Sequence, residues 1–197
     1  APTVTLATLA TSITENAGTS LTLTATLSNA TNENVTVALA TAGTGTEGDD
    51  YSNISDITIT AGQTTGTALF TPTNDSIYEL NETAIISIDT VSGGSATENG
   101  TQSVTLTITN DESAPTVSLS SSASTIDENG GGSITITATA SGATYENISV
   151  PITMSGTATE GTDYNNGSTV SDITISAGAT TGTATLTPVA DTNYEGG

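Results

Sequence analysis

Short runs in which apolar residues alternate with threonine constrain the fold of this chain more than any other feature. Leu21, Leu23, Ala25 and Leu27 are each separated by a single threonine. A period of two places one set of side chains on each face of a β-strand, and threonine suits the solvated face. The period of about 3.6 residues that marks an amphipathic helix is absent. The sequence therefore predicts an all-β protein.

Seven strands are predicted in the first part of the chain from this alternation and from the intervening Gly- and Asn-rich turns. Short strands at regular spacing are typical of an antiparallel β-sandwich. We therefore expect an immunoglobulin-like sandwich. The predicted strands cover about residues 3–9, 19–29, 34–41, 56–60, 65–73, 83–90 and 102–109.

The chain also contains an internal repeat. The sequence Ala-Pro-Thr-Val at 1–4 recurs at 114–117, and Thr-Glu-Gly-x-Asp-Tyr at 46–51 recurs at 159–164. Both matches have the same offset, 113 residues (114 − 1 and 159 − 46). Self-similarity at a fixed offset indicates a duplicated structural unit.

The repeat predicts two tandem β-sandwich domains, residues 1–112 and 113–197. The second copy has no counterpart of the last two predicted strands, 83–90 and 102–109. We expect these strands to come from further residues of the polypeptide or from a neighbouring subunit by β-augmentation.

Charge excludes several functions. The chain has 21 acidic residues and no Lys, Arg, His or Cys, which gives a formal net charge of -21. Nucleic acid is not expected as a partner, because phosphate binding relies on Lys and Arg. Membrane insertion is not expected either, because no apolar run approaches the roughly 20 residues of a span. Paired acids can serve a glycosidase, but aromatic residues are 3% and Trp is absent, so we do not expect an enzyme.

The acidic residues are concentrated in one set of loops. If successive strands are antiparallel, residues 10–18, 42–55, 74–82 and 110–112 lie at the same end of the first domain. Nine acids fall in these segments and only two in the loops of the opposite end. The nine are Glu15, Glu47, Asp49, Asp50, Asp75, Glu79, Glu82, Asp111 and Glu112.

Carboxylates gathered in this way need a counter-charge, which no side chain of this protein supplies. Calcium takes six to eight oxygen ligands and suits such a cluster. Zinc is disfavoured because the chain has neither His nor Cys. A contiguous Asp-x-Asp-x-Asp-Gly loop is absent, so we expect a discontinuous Ca²⁺ site built from several loops.

Four motifs in order resemble the Calx-beta family, which occurs in sodium–calcium exchangers and in large surface proteins. They are Glu-Asn-x-Gly at 15–18, Gly-Thr-x-Thr-Glu-Gly-x-Asp-Tyr at 43–51, Asp-x-x-x-Glu-x-x-Glu at 75–82 and Asn-Asp-Glu at 110–112. The resemblance implies a seven-stranded sandwich with calcium at the loop end. The ligands that it implies are Glu15, Asp50, Asp75, Glu79, Glu82 and Asp111, with the carbonyl of Ile77 as a backbone ligand.

Neighbouring acids and the second copy extend the candidate set. Asp49 and Glu112 adjoin implied ligands, and the acidic stretch at 75–79 returns at 191–195. The candidates in the second copy are Glu128, Asp163, Asp191, Asn193 and Glu195.

We predict a calcium-binding structural repeat of an extracellular surface protein, an adhesin or a fibre. Calcium would rigidify the domain and the junction between domains. The expected partners are calcium ions and further copies of the repeat or neighbouring subunits. Two alternatives stay open: a regulatory calcium sensor, which a Kd of about 10⁻⁷–10⁻⁵ M would indicate, and a calcium-dependent glycan-binding module.

Overall fold

A computed structural model of the protein describes residues 1–192 and confirms the all-β class. Apart from one short 3-10 turn, η1 (Glu15–Ala17), every regular element in this range is a strand. No helix among these residues has the length and apolar character needed to cross a membrane. The chain forms two compact units, which are described separately. Unit 1 comprises Ala1–Asp75 and Leu80–Asp111, and unit 2 comprises Ser76–Glu79 and the chain from Glu112 onward.

Sixteen strands are present in the described residues. They are β1 (Thr3–Thr8), β2 (Ser12–Thr14), β3 (Leu21–Leu27), β4 (Val35–Gly43), β5 (Ile57–Ile59), β6 (Thr65–Phe70), β7 (Ile77–Tyr78), β8 (Glu82–Ser92), β9 (Thr97–Glu98), β10 (Ser103–Thr109), β11 (Val117–Ser121), β12 (Ile134–Ala140), β13 (Ala143–Thr144), β14 (Ile148–Val150), β15 (Ile173–Ile175) and β16 (Thr181–Leu186).

Unit 1 is the predicted sandwich. One sheet has the order β6-β3-β1-β9 and the other the order β2-β10-β8-β4-β5. The alternating apolar residues of both sheets point into one core, in which Leu23, Phe70, Ile86 and Leu106 are fully buried. The long strands pair antiparallel, and the short edge strands β9 and β2 pair parallel with β1 and β10.

Each of the seven predicted strands of the first copy corresponds to an observed strand. The structure adds β2, β7 and β9, which lie in segments predicted as loops. These strands have two or three residues, which is too short for an alternation to be recognised in sequence.

A β-bulge interrupts the pairing of β4 with β8 between Ala38 and Leu39. The Leu39 N–H donates to the Asp56 carboxylate at 3.2 Å, so a side chain supplies an acceptor at the bulge. The same bond recurs in unit 2, where the Ile152 N–H donates to Asp172 at 3.0 Å. Asp56, which directly precedes β5, is therefore a structural residue.

Unit 2 repeats part of this architecture. Its sheets have the orders β11-β12-β16, β14-β15 and β13-β7. The deepest positions of its core are Ala138, Ile173 and Ile175, all fully buried. The Ala177 N–H donates to Asn147 as the Ala61 N–H does to Asn34 in unit 1, at 2.8 and 2.9 Å. The sequence repeat is therefore also a repeat of individual hydrogen bonds.

Candidate metal-binding site

Six of the predicted acids of the first copy meet in two groups. Within each group, one carboxylate oxygen from every member lies within 4.8 Å of those of the other two. Group A is Glu15, Asp111 and Glu112, and group B is Asp50, Glu79 and Glu82.

Group A is positioned by the parallel pairing of β2 with β10. Because Thr14 pairs with Thr109, the residues that follow the two strands leave the sheet side by side. The Asn16 side-chain amide donates to an Asp111 carboxylate oxygen at 2.6 Å. This bond orients Asp111 and ties the turn after β2 to the segment after β10.

Glu15 is the buried member of group A. It opens η1, which ends at Gly18 in the left-handed conformation (φ 62°). Burial of a carboxylate is costly unless hydrogen bonds or a cation compensate, and the chain has no basic side chain to pair with it. Group A therefore combines a partly desolvated carboxylate with two more accessible ones.

Group B depends on a buried tyrosine. Tyr51 packs against Phe70 with ring centroids 4.8 Å apart, and its backbone bridges to Pro72. One residue earlier, the Asp50 carbonyl accepts a bond from the Thr73 N–H at 2.9 Å. These contacts hold the loop that carries Asp50 against the loop that leads to Glu79.

Side-chain hydrogen bonds orient the acids of this loop. The Thr46 N–H donates to the Asp50 carboxylate at 2.5 Å, so one Asp50 oxygen has a fixed direction. The Ile54 N–H and the Thr41 hydroxyl donate to Glu47 at 2.6 and 2.9 Å. Both oxygens of Glu47 therefore close its own loop, which makes Glu47 a structural carboxylate.

The pKa of Tyr51 reflects the negative charge in and around group B. Burial raises the pKa of Tyr51, and the nearby negative charges of Glu47, Asp50 and Glu82 raise it further, while a hydrogen bond with Thr41 partly opposes the rise. The three carboxylates oppose ionisation of the Tyr51 phenol because they create a negative electrostatic potential at its position.

The other predicted residues of the first copy lie outside both groups. Asp49 and Asp75 are exposed. The Asp49 N–H donates to the Thr46 carbonyl at 3.2 Å. Ile77 is half-buried in β7 and pairs with Ala143 of β13 in unit 2.

In the second copy, two of the predicted residues meet. The Asp191 N–H donates to the Glu128 carboxylate at 3.0 Å, so the loops that carry them converge. Asp163 accepts a bond from the Thr159 N–H at 2.5 Å, as Asp50 does from Thr46. None of the three belongs to a three-acid group among residues 1–192. Asn193 and Glu195 lie outside the described residues.

Sequence reasoning did not single out the neutral residues that position the acids. Asn16 binds Asp111, and Asn81 accepts a bond from the Asn110 N–H at 3.3 Å. A signal existed for Asn16, which is the second residue of the Glu-Asn-x-Gly motif. Asn81 has no comparable signal, because its partner is fixed only by the pairing of β8 with β10.

Comparison with protein families confirms the resemblance inferred from the motifs. The sequence model of the Calx-beta domain matches twice, over residues 1–113 and 110–197. A comparison with curated proteins found no match.

Comparison with solved structures finds similar two-domain and one-domain proteins. The crystal structure of CBD12 from CALX1.2 is 18% identical, covers 92% of this chain and 73% of its own, and has a TM-score of 0.45. The apo-form Calx CBD1 domain is 17% identical, with coverages of 55% and 98% and a TM-score of 0.45. A two-domain protein of unknown function (BF3416) from Bacteroides fragilis NCTC 9343 is 10% identical, with coverages of 95% and 85% and a TM-score of 0.41.

Proposed function

We propose that this chain, which belongs to the Calx-beta domain family, is a calcium-binding module. The observation that carries the proposal is the meeting of six acids in two compact groups, in a protein without a single basic side chain. Like charges at this spacing repel strongly unless a cation lies among them. The fold brings these acids together from four separate segments, as a binding site requires.

The donor set suits a hard cation. Calcium binds oxygen at about 2.3–2.6 Å, so ligands on opposite sides of the ion are about 5 Å apart. The oxygens within each group lie no more than 4.8 Å from one another, close enough to share one ion of this size. Magnesium, at about 2.0–2.1 Å, needs a tighter octahedron. A bound calcium ion would supply the positive charge that the protein lacks.

Each group would supply three carboxylates of a shell that needs six to eight oxygens. In group B the remaining ligands would come from bidentate binding by Glu79 or Glu82, from water, and from Asp75 and the Ile77 carbonyl earlier in the same loop. Asp49 is exposed next to Asp50 and would add negative charge near the ion without binding it directly.

The second copy would bind calcium more weakly or only with residues beyond 192. Its described candidates are Glu128, Asp163 and Asp191, and the Glu128 carboxylate already accepts a backbone bond from Asp191. Stability of the second copy is therefore expected to respond less to calcium than that of the first.

The proposed role is structural rather than catalytic: a spacer module of an extracellular surface protein. An ion held by group A would join the turn after β2 to the segment that leaves β10, and so would stiffen the exit of the chain from the first copy. The absence of Lys and Arg, which removes every trypsin site, favours an exposed location.

The test is thermal unfolding with and without calcium. Binding to the folded state adds RT ln(1 + [L]/Kd), about 2.7 kcal/mol at a hundredfold excess over Kd, so Ca²⁺ should raise the melting temperature and EDTA should lower it. Calorimetric titration gives the affinity. A Kd of about 10⁻⁷–10⁻⁵ M would favour the regulatory sensor instead.

Matched variants locate the site. Glu82→Gln removes a charge from group B and should weaken one binding event by tenfold or more, about 1.4 kcal/mol. Glu33→Gln removes the same charge from the opposite end of the fold and keeps the side-chain acceptor that faces the Gly94 N–H. Equal losses in the two variants would mean that the ion is attracted by overall charge, and the proposal would then fail.

A further inference from the structure

Asparagine directly followed by glycine is the dipeptide most prone to spontaneous deamidation. Glycine has no Cβ to shield its amide nitrogen from the side chain of the preceding asparagine. The chain contains this dipeptide three times, at residues 99–100, 129–130 and 166–167. All three asparagines are exposed. Exposure therefore does not distinguish the three dipeptides, whereas the hydrogen bonds of the glycine amide do.

In two of the three dipeptides the glycine amide donates a backbone hydrogen bond. The Gly130 N–H donates to the Asp127 carbonyl at 3.1 Å, and the Gly167 N–H donates to the Gly161 carbonyl at 2.8 Å. Each nitrogen must give up this bond before it can attack the neighbouring carboxamide, and loss of the bond costs free energy. The fold therefore protects Asn129 and Asn166.

The third dipeptide, Asn99-Gly100, lies in the loop between β9 and β10. No residue in the described part of the chain accepts a hydrogen bond from the Gly100 N–H. Gly100 has a φ of +66°, and no atom lies within 4 Å of a Cβ added there. The Gly100 nitrogen is therefore accessible to the Asn99 side chain.

The backbone on both sides of this amide is anchored. The Asn99 N–H donates to the Val4 carbonyl at 3.0 Å, and the Gln102 side-chain amide donates to the Asn99 carbonyl at 2.7 Å. The Gln102 N–H donates to the Glu98 carboxylate at 2.6 Å. None of these bonds involves the Gly100 nitrogen, so it can react while the loop stays attached to β1.

We propose that Asn99 is a site of spontaneous covalent modification, at which the Gly100 nitrogen converts asparagine to aspartate and isoaspartate. The nitrogen forms a bond to Asn99 Cγ, the carboxamide C–N bond breaks, and the amide proton leaves with the departing ammonia. Water then opens the resulting succinimide. Opening at Cγ gives aspartate, and opening at the main-chain carbonyl gives isoaspartate, in which the main chain runs through the former side chain.

The modification changes the edge of a sheet. Both products add a carboxylate directly after Glu98, and isoaspartate also adds one carbon to the main chain. Strand β9 pairs with β1 over only two residues, and the bond from Asn99 to Val4 continues this pairing. We expect the added charge and length to loosen β9 and so to uncover the edge of β1.

The test follows the three asparagines in one sample of the 197-residue chain, incubated in EDTA at mildly alkaline pH. Cleavage after glutamate separates the three dipeptides, and mass spectrometry measures the exchange of ammonia for water in each peptide. The same chain in urea gives each rate without structure. Folding should slow Asn129 and Asn166 by roughly tenfold or more, and should leave the Asn99 rate nearly unchanged.

A pair of variants checks that the Gly100 nitrogen is the nucleophile. Gly100→Ala should slow conversion of Asn99 several-fold, because the new methyl group shields the nitrogen. Gly131→Ala, at a glycine that also has a φ of +66° and open space, imposes comparable backbone strain and should leave the Asn99 rate unchanged.

Amide hydrogen exchange tests the structural consequence. In converted protein, exchange at residues 97–99 should be faster than in unconverted protein, and unchanged exchange there would overturn the loosening of β9. Conversion of Asn99 only in urea overturns the proposed site. Conversion of Asn129 or Asn166 that folding slows no more than that of Asn99 also overturns it, because the glycine hydrogen bonds would then give no protection.

Discussion

Carboxylates in this protein serve two purposes: some close the loops that carry them, and others meet in groups A and B. Glu47 and Glu160 occupy the same position in the two copies, and each accepts a bond from a backbone N–H across its loop, Ile54 and Val170 respectively. In a chain without basic side chains, an acid depends on neutral donors, which here are backbone N–H groups and side chains such as those of Thr41 and Asn16. In the first copy, Glu47 thereby stabilises the loop that presents Asp50 of group B.

Glu47→Ala is expected to lower the free energy of unfolding by about 1–3 kcal/mol, because it leaves the Ile54 N–H and the Thr41 hydroxyl without their acceptor. Asp89→Ala, at an exposed position of β8, removes the same charge and should change stability little. Urea unfolding in EDTA measures both variants without a contribution from metal. Similar losses in the two variants would contradict the structural role of Glu47.

Alkaline pH should destabilise the fold through Tyr51. Burial and neighbouring carboxylates raise its pKa in the folded state, so the folded protein holds this proton more tightly than the unfolded chain. The resulting stabilisation is complete below the unfolded tyrosine pKa, about 10, and is lost as pH rises through the folded value.

Melting temperature measured in EDTA from about pH 8 to about pH 11 tests this expectation. Tyr51→Phe should reduce the loss at high pH, while Tyr145→Phe, at an exposed tyrosine, serves as the control. A pH dependence that is identical in the wild type and in Tyr51→Phe would refute it.

At the scale of the elements, close pairing of β4 with β8 determines where group B forms. Gly43 ends β4 against the Thr83 carbonyl, and Glu82 is the residue that begins β8. Only a residue without a Cβ permits this approach with a positive φ. The glycine therefore fixes the register at the end of the strand that carries a candidate ligand.

Gly43→Ala is expected to destabilise unit 1 at least twice as much as Gly62→Ala. Both glycines have a positive φ, so each substitution costs at least about 1 kcal/mol of backbone strain. Only at Gly43 does the new methyl group also clash with a strand, whereas nothing lies within 4 Å at Gly62. Thermal unfolding of the two variants decides the question, and equal losses would show that β4 and β8 can separate without cost.

At the scale of the whole molecule, the net charge of -21 opposes folding by self-repulsion. Salt screens this repulsion, since the Debye length falls from about 10 Å at 0.1 M to about 3 Å at 1 M. In EDTA, NaCl should therefore raise the melting temperature gradually over this range. Calcium should raise it further at matched ionic strength, because a site-bound ion acts in addition to screening.

Equal effects of NaCl and CaCl₂ at the same ionic strength would indicate screening alone. Circular dichroism melts of the wild type and of Glu82→Gln separate the two contributions. The variant should keep the response to NaCl and lose part of the response to calcium.

The sequence by itself determined the class of fold, the duplication and the segments from which the candidate ligands come. Period-two alternation decides which side chains are buried, and the offset of the motifs defines the repeat, so no long-range information is needed. Tertiary structure decided which acids meet. Glu15 lies beside Asp111 because β2 pairs parallel with β10. This pairing involves only three residues of each strand, and neither segment carries a sequence pattern that predicts it.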